Sequence, residues 1–207
     1  MRNEPRAEKK FIAVRGDLLQ RVIEIANRDG KTVFGFVNEI FQQALRAEEL
    51  KVPLSEIIDF YTLIEVMKKA GSIITTSDVF NHLITRLYPL EKEGLQEKWY
   101  VSGVWYGKYL AMKFNDTLEV FKKILEVCMW DVTEASLTKG DGGRVSLRCV
   151  APSHTIENTE LFLHFLRGVM HSFNYKIVRE EFYKGIILMD LEERTPISDI
   201  ELGLDTL

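Results

Sequence analysis

Histidine and cysteine side chains are the groups of this sequence most able to ligate a metal or act as nucleophiles, and it contains four histidines and two cysteines. His164 and His171 are seven residues apart on one predicted helix, so a rise of about 10.5 Å places them too far apart to share an ion. Cys128 and Cys149 do not have the spacing of a zinc site, and two cysteines are too few for a disulfide framework. We therefore expect no metal, no cofactor, and inert thiols.

Sequence motifs that would indicate an enzyme are also absent. The chain has no nucleophile elbow, no phosphate-binding loop, no HExxH zinc motif and no dinucleotide fingerprint. The glycine-rich run at 140–143 is predicted to join two strands, whereas a phosphate-binding loop opens a helix. We therefore expect that the protein is not an enzyme and has no catalytic residues.

A group of large aromatic residues between positions 99 and 130 could line a ligand pocket. Helical spacing places at least two of them on one face. One interpretation is the wall of a pocket for an apolar or aromatic ligand. The other, favoured as the simpler, is ordinary core and subunit interface, and Gly103 and Gly107 permit close helix packing in either case. The pocket candidates are Trp99, Trp105, Tyr106, Tyr109 and Trp130.

The elements at the N-terminus form a compact series. Residues 9–15 are apolar, partly β-branched and flanked by basic residues, which predicts a short strand. Asp17 is a good N-cap for a first helix that Gly30 ends, and Thr32 can cap a second helix that runs through Leu45. One short strand and two helices bury too little surface to fold alone, so we expect a second copy to complete the core.

From Phe11 to Glu48 this series resembles the ribbon-helix-helix repressors of the Arc, MetJ and CopG group. The resemblance implies a homodimer that places a two-stranded antiparallel ribbon in the major groove of double-stranded DNA. It therefore implies a DNA-binding and dimerisation domain over residues 1–50.

Side-chain alternation along the ribbon indicates which residues would contact DNA. Ile12 and Val14 are the better core pair, which leaves the opposite face for bases and phosphates. The start of the second helix would bind a phosphate oxygen through its free N–H groups. The alternative is a dimerisation module that reads no bases. The predicted DNA contacts are Lys9, Phe11, Ala13, Arg15, Lys31, Thr32 and Val33.

Beyond residue 50 the pattern changes to several helices followed by two strand pairs. Helices are predicted over 54–70, 77–89, 97–113, 116–128 and 157–173, and strands over 130–139, 144–151, 175–183 and 185–191. This order indicates an α+β domain with an antiparallel sheet over 51–193, followed by an acidic tail at 194–207.

Three segments of this region, 105–110, 124–127 and 165–170, resemble the 4-vinyl reductase domain. That family belongs with the TRAPP-type and haem-NO-binding sensors, so the resemblance, over about residues 95–192, implies a small-molecule pocket. Many members end in cysteines suited to a metal, whereas this sequence has Phe182, Tyr183 and Gly185 there. We therefore expect neither metal nor haem.

Composition agrees with a soluble regulator. The net charge is −4, yet the first 15 residues hold five basic and two acidic side chains. No apolar run is long enough for a membrane span or a signal peptide, so we expect a cytoplasmic protein. Together these features predict a dimeric, sequence-specific transcriptional regulator, a repressor by its family resemblance, with a C-terminal sensor or assembly domain. The alternatives are an architectural DNA-binding protein that forms higher oligomers, and an antitoxin.

Overall fold

The structure is a computed structural model that describes residues 10–194. The chain forms two compact units, an N-terminal unit that ends at Asp59 and a C-terminal unit that begins at Phe60. Lys9 and residues 195–207, which include nearly all of the predicted acidic tail, lie outside the described residues. Domain bounds at 50 and 193 stay a prediction.

The N-terminal unit contains two helices joined by a tight turn. Helix α1 spans Gly16–Arg28 and helix α2 spans Val33–Glu49. Gly30 adopts the left-handed conformation expected of a residue that ends a helix, with φ +67°. Thr32 caps α2 as predicted, because its side chain accepts a hydrogen bond from the Gly35 N–H at 3.1 Å. The predicted pair of helices is therefore confirmed.

The predicted strand before α1 is not formed. Residues 10–15 contain no strand, and Phe11, Ile12 and Val14 are exposed, so Ile12 and Val14 are no core pair. A lone strand leaves its backbone groups unpaired, and residues 10–194 place no second strand beside this segment. Asp17 is not the N-cap either: it lies in the first turn of α1 and pairs with Arg15.

The boundary between the two units falls within helix α3, Leu54–Lys69, so the C-terminal unit begins with the second part of this helix. Helix α4 spans Ser77–Lys113, a range over which the sequence predicted two separate helices, at 77–89 and 97–113. It is kinked at Glu91, whose φ −136° and ψ 34° are not helical, two residues after Pro89. Proline cannot donate its backbone hydrogen bond, which explains the kink without ending the helix.

Two further helices complete the helical layer. Helix α5 spans Thr117–Lys123 and continues into a π-helical turn, Ile124–Cys128. Helix α6, Ile156–Ser172, is the most buried helix of the unit. Both agree with the predicted positions. The π-helical turn was not predicted, and such turns are frequent at functional sites.

A four-stranded antiparallel sheet completes the α+β fold, as predicted. Its order is β1-β2-β4-β3, and each neighbouring pair is antiparallel. Gly142, with φ +67°, lies in the predicted hairpin between the first two strands. The strands are β1 Glu134–Lys139, β2 Arg144–Val150, β3 Tyr175–Tyr183 and β4 Ile186–Glu193.

The core lies between one face of the sheet and the helices. Alternate residues of β2 and β4 point into it, because successive strand side chains lie on opposite faces. Leu166 and Phe121 contribute from α6 and α5. The buried strand residues are Val145, Leu147, Cys149, Ile187, Met189 and Leu191.

Helices α4 and α6 pack backbone to backbone through glycines. A Cβ added at Gly103 would collide with the Phe165 carbonyl oxygen, and one at Gly107 with the Ser172 side chain. The predicted close packing at these two glycines is therefore confirmed, and on α6 Gly168 lies against Gly103. Among residues 10–194, no helix has the length and apolar character needed to cross a bilayer.

Candidate functional site

A cavity of about 910 Å³ lies within the C-terminal unit. Its walls come from the end of α3, the loop from α3 to α4, helices α4 and α6, and the turn after the π-helical segment. The apolar lining includes Ile64, Met67, Ile73, Ile74, Phe80, Trp99, Met129, Trp130, Phe162 and Phe165.

The loop between α3 and α4 supplies the most exposed apolar wall. Gly71 ends α3 with φ +81°, a conformation that glycine adopts without strain. Ile73 and Ile74 follow it and line the cavity, although they are 84% and 74% exposed. Exposed apolar side chains at a concave site are typical of a surface that a ligand covers.

Aromatic rings form the opposite wall. Trp99 of α4 lies against Phe80 with ring centroids 5.9 Å apart, and Phe162 stacks near Phe165 on α6 at 6.2 Å. The close α4–α6 packing brings these rings together. Trp130 lies on the turn before β1, rather than in the predicted strand that starts there, and lines the same cavity.

The other three aromatic candidates lie elsewhere in the unit. Trp105 stacks on Tyr109 with centroids 5.6 Å apart, and neither lines the cavity. Tyr106 is buried against Phe165, and its hydroxyl has no hydrogen-bond partner in the described part of the chain. Burial raises the pKa of Tyr106. The structure therefore places Trp99 and Trp130 at the cavity and the other three apart from it.

A buried histidine paired with a carboxylate lies in the cavity wall. His154 is 3% exposed, and its Nε2 lies 2.8 Å from Oδ2 of Asp131. The hydrogen bond from His154 lowers the pKa of Asp131, against the opposing effect of burial. The second ring nitrogen of His154, Nδ1, is buried and has no partner among residues 10–194.

A buried asparagine at the start of α6 lines the same cavity. Thr155 caps α6 by accepting a hydrogen bond from the Asn158 N–H at 3.2 Å, which fixes the backbone of Asn158. The Asn158 amide nitrogen lies 2.9 Å from Oδ1 of Asn81, and the Asn81 amide nitrogen lies 2.7 Å from the Ser153 carbonyl oxygen. Asn158 is 1% exposed, and its Oδ1 has no partner in the described structure.

The remaining polar lining is a thiol and several side chains at the rim. Cys128 ends the π-helical turn and lines the cavity, and burial raises the pKa of its thiol. Lys68 and Lys98 are exposed and line the cavity as well. The site thus combines an apolar interior with two cations at its rim and two buried polar atoms that lack partners.

Sequence reasoning missed the polar part of this site. His154 was expected in a loop, and Asp131 and Asn158 were not singled out. His154 and Asp131 are 23 positions apart, so no local spacing links them. Their contact depends on the π-helical turn and on the entry to α6. Thr155 is a residue type that caps helices, but a cap gives no indication of a ligand.

The histidines of α6, for which no shared metal site was expected, contact other side chains. His164 contacts Arg167 on its own helix at 3.2 Å, and His171 lies 3.0 Å from the Tyr100 hydroxyl on α4. Burial lowers the pKa of both histidines. Within residues 10–194, no group of three or more histidine, cysteine or acidic side chains could hold a metal ion.

Among the described residues, the predicted DNA contacts are exposed except Val33, which is half-buried, and the charged ones, Arg15 and Lys31, pair within the chain. Arg15 pairs with Asp17 at 2.5 Å, and Lys31 pairs with Glu39 at 2.5 Å. Phe11 and Ala13 lie in a segment without regular structure. Thr32 caps α2, Val33 is its first residue, and Lys9 lies outside the described residues.

Comparison with solved structures finds similarity to H-NOX domains, the haem-NO-binding sensor fold. An oxygen-binding H-NOX domain related to soluble guanylate cyclases is 12% identical, with 68% of this chain and 88% of that chain covered and a TM-score of 0.38. A variant of the T. Tengcongensis H-NOX domain is 13% identical, with 68% and 96% covered and a TM-score of 0.38. A Cs H-NOX variant is 14% identical, with 67% and 94% covered and a TM-score of 0.39.

Two other comparisons find no match: no protein-family model and no curated protein is similar to the chain. H-NOX domains belong to the haem-NO-binding group that the C-terminal sequence resembles.

The prediction of a DNA-binding transcriptional regulator is wrong. The solved structures that resemble the chain are H-NOX domains, and the segment expected to read DNA forms no strand over residues 10–15. The ribbon-helix-helix resemblance rested on a strand that needs a second strand beside it, and the described residues supply none. The two alternatives that depend on the same module, an architectural DNA-binding protein and an antitoxin, are wrong for the same reason.

Proposed function

We propose that the C-terminal unit is a binding domain for a small, mostly apolar molecule that occupies the cavity. The observation that carries this proposal is a concave site of about 910 Å³ whose walls are largely aliphatic and aromatic. Ligand pockets typically measure roughly 300–1,000 Å³ and combine apolar walls with a few polar groups that orient the ligand. Ile73 and Ile74 would lose their exposure to water when the cavity is filled.

The two unpaired polar atoms in the wall support the same proposal. A buried polar atom without a partner costs free energy, of order 1–3 kcal/mol. His154 Nδ1 and Asn158 Oδ1 are both such atoms, and both residues line the cavity. A bound molecule that hydrogen-bonds to these two atoms would remove this cost.

Haem does not fit this cavity through its histidine. A further solved structure with similar layout concerns the redox potential of haem. In this chain the only cavity histidine among the described residues is His154, whose Nε2 is engaged by Asp131. Its unpaired nitrogen, Nδ1, is bonded to the ring carbon that carries Cβ and is buried, so the residue's own side chain crowds the one atom of His154 that could hold a haem iron.

Binding, rather than catalysis, suits the chemistry of the wall. Cys128 is the thiol in the cavity, and burial raises its pKa, which lowers the fraction of reactive thiolate. A catalytic cysteine requires the opposite shift. We therefore propose that the domain holds its ligand without transforming it.

A fluorescence titration of the full chain with N-phenylnaphthylamine tests the proposal. This uncharged aromatic probe emits strongly in apolar sites, and we expect saturable binding of one molecule per chain. Ser102→Trp should weaken it, because Ser102 lines the cavity from α4 and the larger side chain would occupy part of that space.

The matched control is Val101→Trp, which adds the same side chain at the adjacent position. Val101 is 55% exposed and does not line the cavity, so this variant should bind the probe as the parent does. Absence of saturable binding, or equal loss in both variants, would contradict the proposal.

A further inference from the structure

The orientation of the Asn158 amide follows from its hydrogen-bond chain. The Ser153 carbonyl oxygen can only accept, so the Asn81 group 2.7 Å from it must be the donating NH₂. Asn81 therefore turns its oxygen towards Asn158, and the Asn158 NH₂ must donate to it at 2.9 Å. The group that Asn158 leaves without a partner is consequently its carbonyl oxygen, a hydrogen-bond acceptor.

The tautomer of His154 follows in the same way. Asp131 is held as a carboxylate, which can only accept, so the His154 Nε2 that lies 2.8 Å away carries the proton. In a neutral imidazole the other nitrogen, Nδ1, is then an acceptor with a free lone pair. Phe162 packs edge-on against the ring, with centroids 5.7 Å apart, and holds its orientation.

The residues that line the cavity therefore include two buried acceptors without partners, and the only other buried polar side chain of the described lining is the Cys128 thiol, a weak donor. Burial of both residues, at 3% and 1% exposed, excludes bulk water as their partner. The cavity that His154 and Asn158 line is the space in which a partner can lie. A ligand whose polar group is an ether or a ketone would set further lone pairs against these acceptors.

We infer that the ligand is an aromatic or aliphatic molecule that carries a hydrogen-bond donor, such as a phenol, an indole or an amine, which Asn158 and His154 recognise. This inference rests on the proposed function of the cavity and adds the chemical class of its ligand. Asp131 and Asn81 are positioning residues, because they fix which atoms the two cavity side chains present.

A pair of probes that differ only in the donor tests this inference. β-Naphthol carries a hydroxyl donor, and its methyl ether replaces that hydrogen with a methyl group. Each competes with N-phenylnaphthylamine on the full chain at the same pH. We expect β-naphthol to bind about tenfold more tightly, which corresponds to about 1.4 kcal/mol. Hydrophobicity alone would favour the methyl ether.

Asn158→Leu separates the acceptor from the shape of the cavity. The variant keeps a similar volume and should lower the preference for β-naphthol to about threefold or less, with the ether bound at least as well as before. Asn115→Leu makes the same change at an exposed residue away from the cavity and should leave the preference unchanged.

The outcomes distinguish the inference from the proposed function. Equal affinity for the two probes in the parent chain, or tighter binding of the ether, would overturn the inference while the cavity remains a ligand site. An unchanged preference in a folded Asn158→Leu variant would also overturn it. Absence of saturable binding of N-phenylnaphthylamine would instead overturn the proposed function. If Asn158→Leu does not fold, the comparison in the parent chain decides the inference alone.

Discussion

Replacing Gly168 with alanine should destabilise the C-terminal unit by forcing α4 and α6 apart. The added Cβ would collide with the Tyr100 carbonyl oxygen and would lie 2.7 Å from the Val104 nitrogen. Both atoms belong to the backbone of α4, so no flexible side chain can move aside. Overpacking a core typically costs about 1–3 kcal/mol, and contacts with backbone belong at the upper end of that range.

The intrinsic helix preference works in the opposite direction. Alanine is favoured over glycine inside a helix by about 1 kcal/mol, which offsets part of the cost. We therefore expect Gly168→Ala to lower the free energy of unfolding by about 1–2 kcal/mol. Gly94→Ala is the matched control, because Gly94 also lies in a helix but a Cβ added there would meet nothing within 4 Å. That variant should be stabilised by about 0.5–1 kcal/mol.

Urea unfolding followed by tryptophan fluorescence measures this difference. All three tryptophans, Trp99, Trp105 and Trp130, lie in the C-terminal unit, so the signal reports on that unit. The midpoints should move in opposite directions for the two variants, with an unchanged dependence on urea. If Gly168→Ala is as stable as Gly94→Ala, the backbone contact between α4 and α6 does not exist as described.

Three further predictions concern association, acid stability and metals. We expect the chain to self-associate through its N-terminal unit, because only two alanines are buried among the described residues of that unit. Ile40→Asp would place a charge in the interface and should give monomers in sedimentation experiments. A parent chain that sediments as a monomer would contradict this. Burial alone would raise the pKa of Glu160, but hydrogen bonds from Tyr88 and Lys92 lower it below the ordinary value of 4.5. The Glu160 carboxylate therefore stabilises the folded chain above pH 4.5, and this contribution is lost as the pH falls through the pKa that Glu160 has in the folded state. The difference in unfolding free energy between the parent and Glu160→Gln should accordingly shrink in acid, and a difference independent of pH would refute this. Elemental analysis should find no stoichiometric metal, and one tightly held zinc or iron per chain would contradict that expectation.

Local signals in the sequence predicted most of the fold. Gly30 and Thr32 act within a few residues of themselves, so the helix boundary between them could be located without tertiary information. The hairpin at 140–143 was predicted for the same reason. The continuous helix α4 was missed because Pro89 normally ends a helix. In the structure α6 packs along α4. The Glu160 carboxylate of α6 accepts hydrogen bonds from Tyr88, before the kink of α4, and from Gln96, after it.

The candidate site was only partly predictable. Aromatic density located Trp99 and Trp130, because a concentration of large rings is visible in the sequence. The acceptors of His154 and Asn158 were not visible, since their roles depend on partners at Asp131 and Asn81 that are distant in sequence. The ribbon prediction failed for a related physical reason: a strand is defined by its neighbour, and residues 10–15 have no neighbouring strand in this structure.

The most direct test of the cavity as a ligand site is methyl NMR of the full chain, labelled at its methionine methyl groups and titrated with β-naphthol. Met67 and Met129 line the cavity, whereas Met112 is exposed on α4 and Met189 is buried in the sheet. Assignment follows from single methionine-to-leucine variants. We predict saturable shifts of the Met67 and Met129 signals, with those of Met112 and Met189 unmoved. Shifts at Met112 or Met189 without any at Met67 and Met129 would contradict the account.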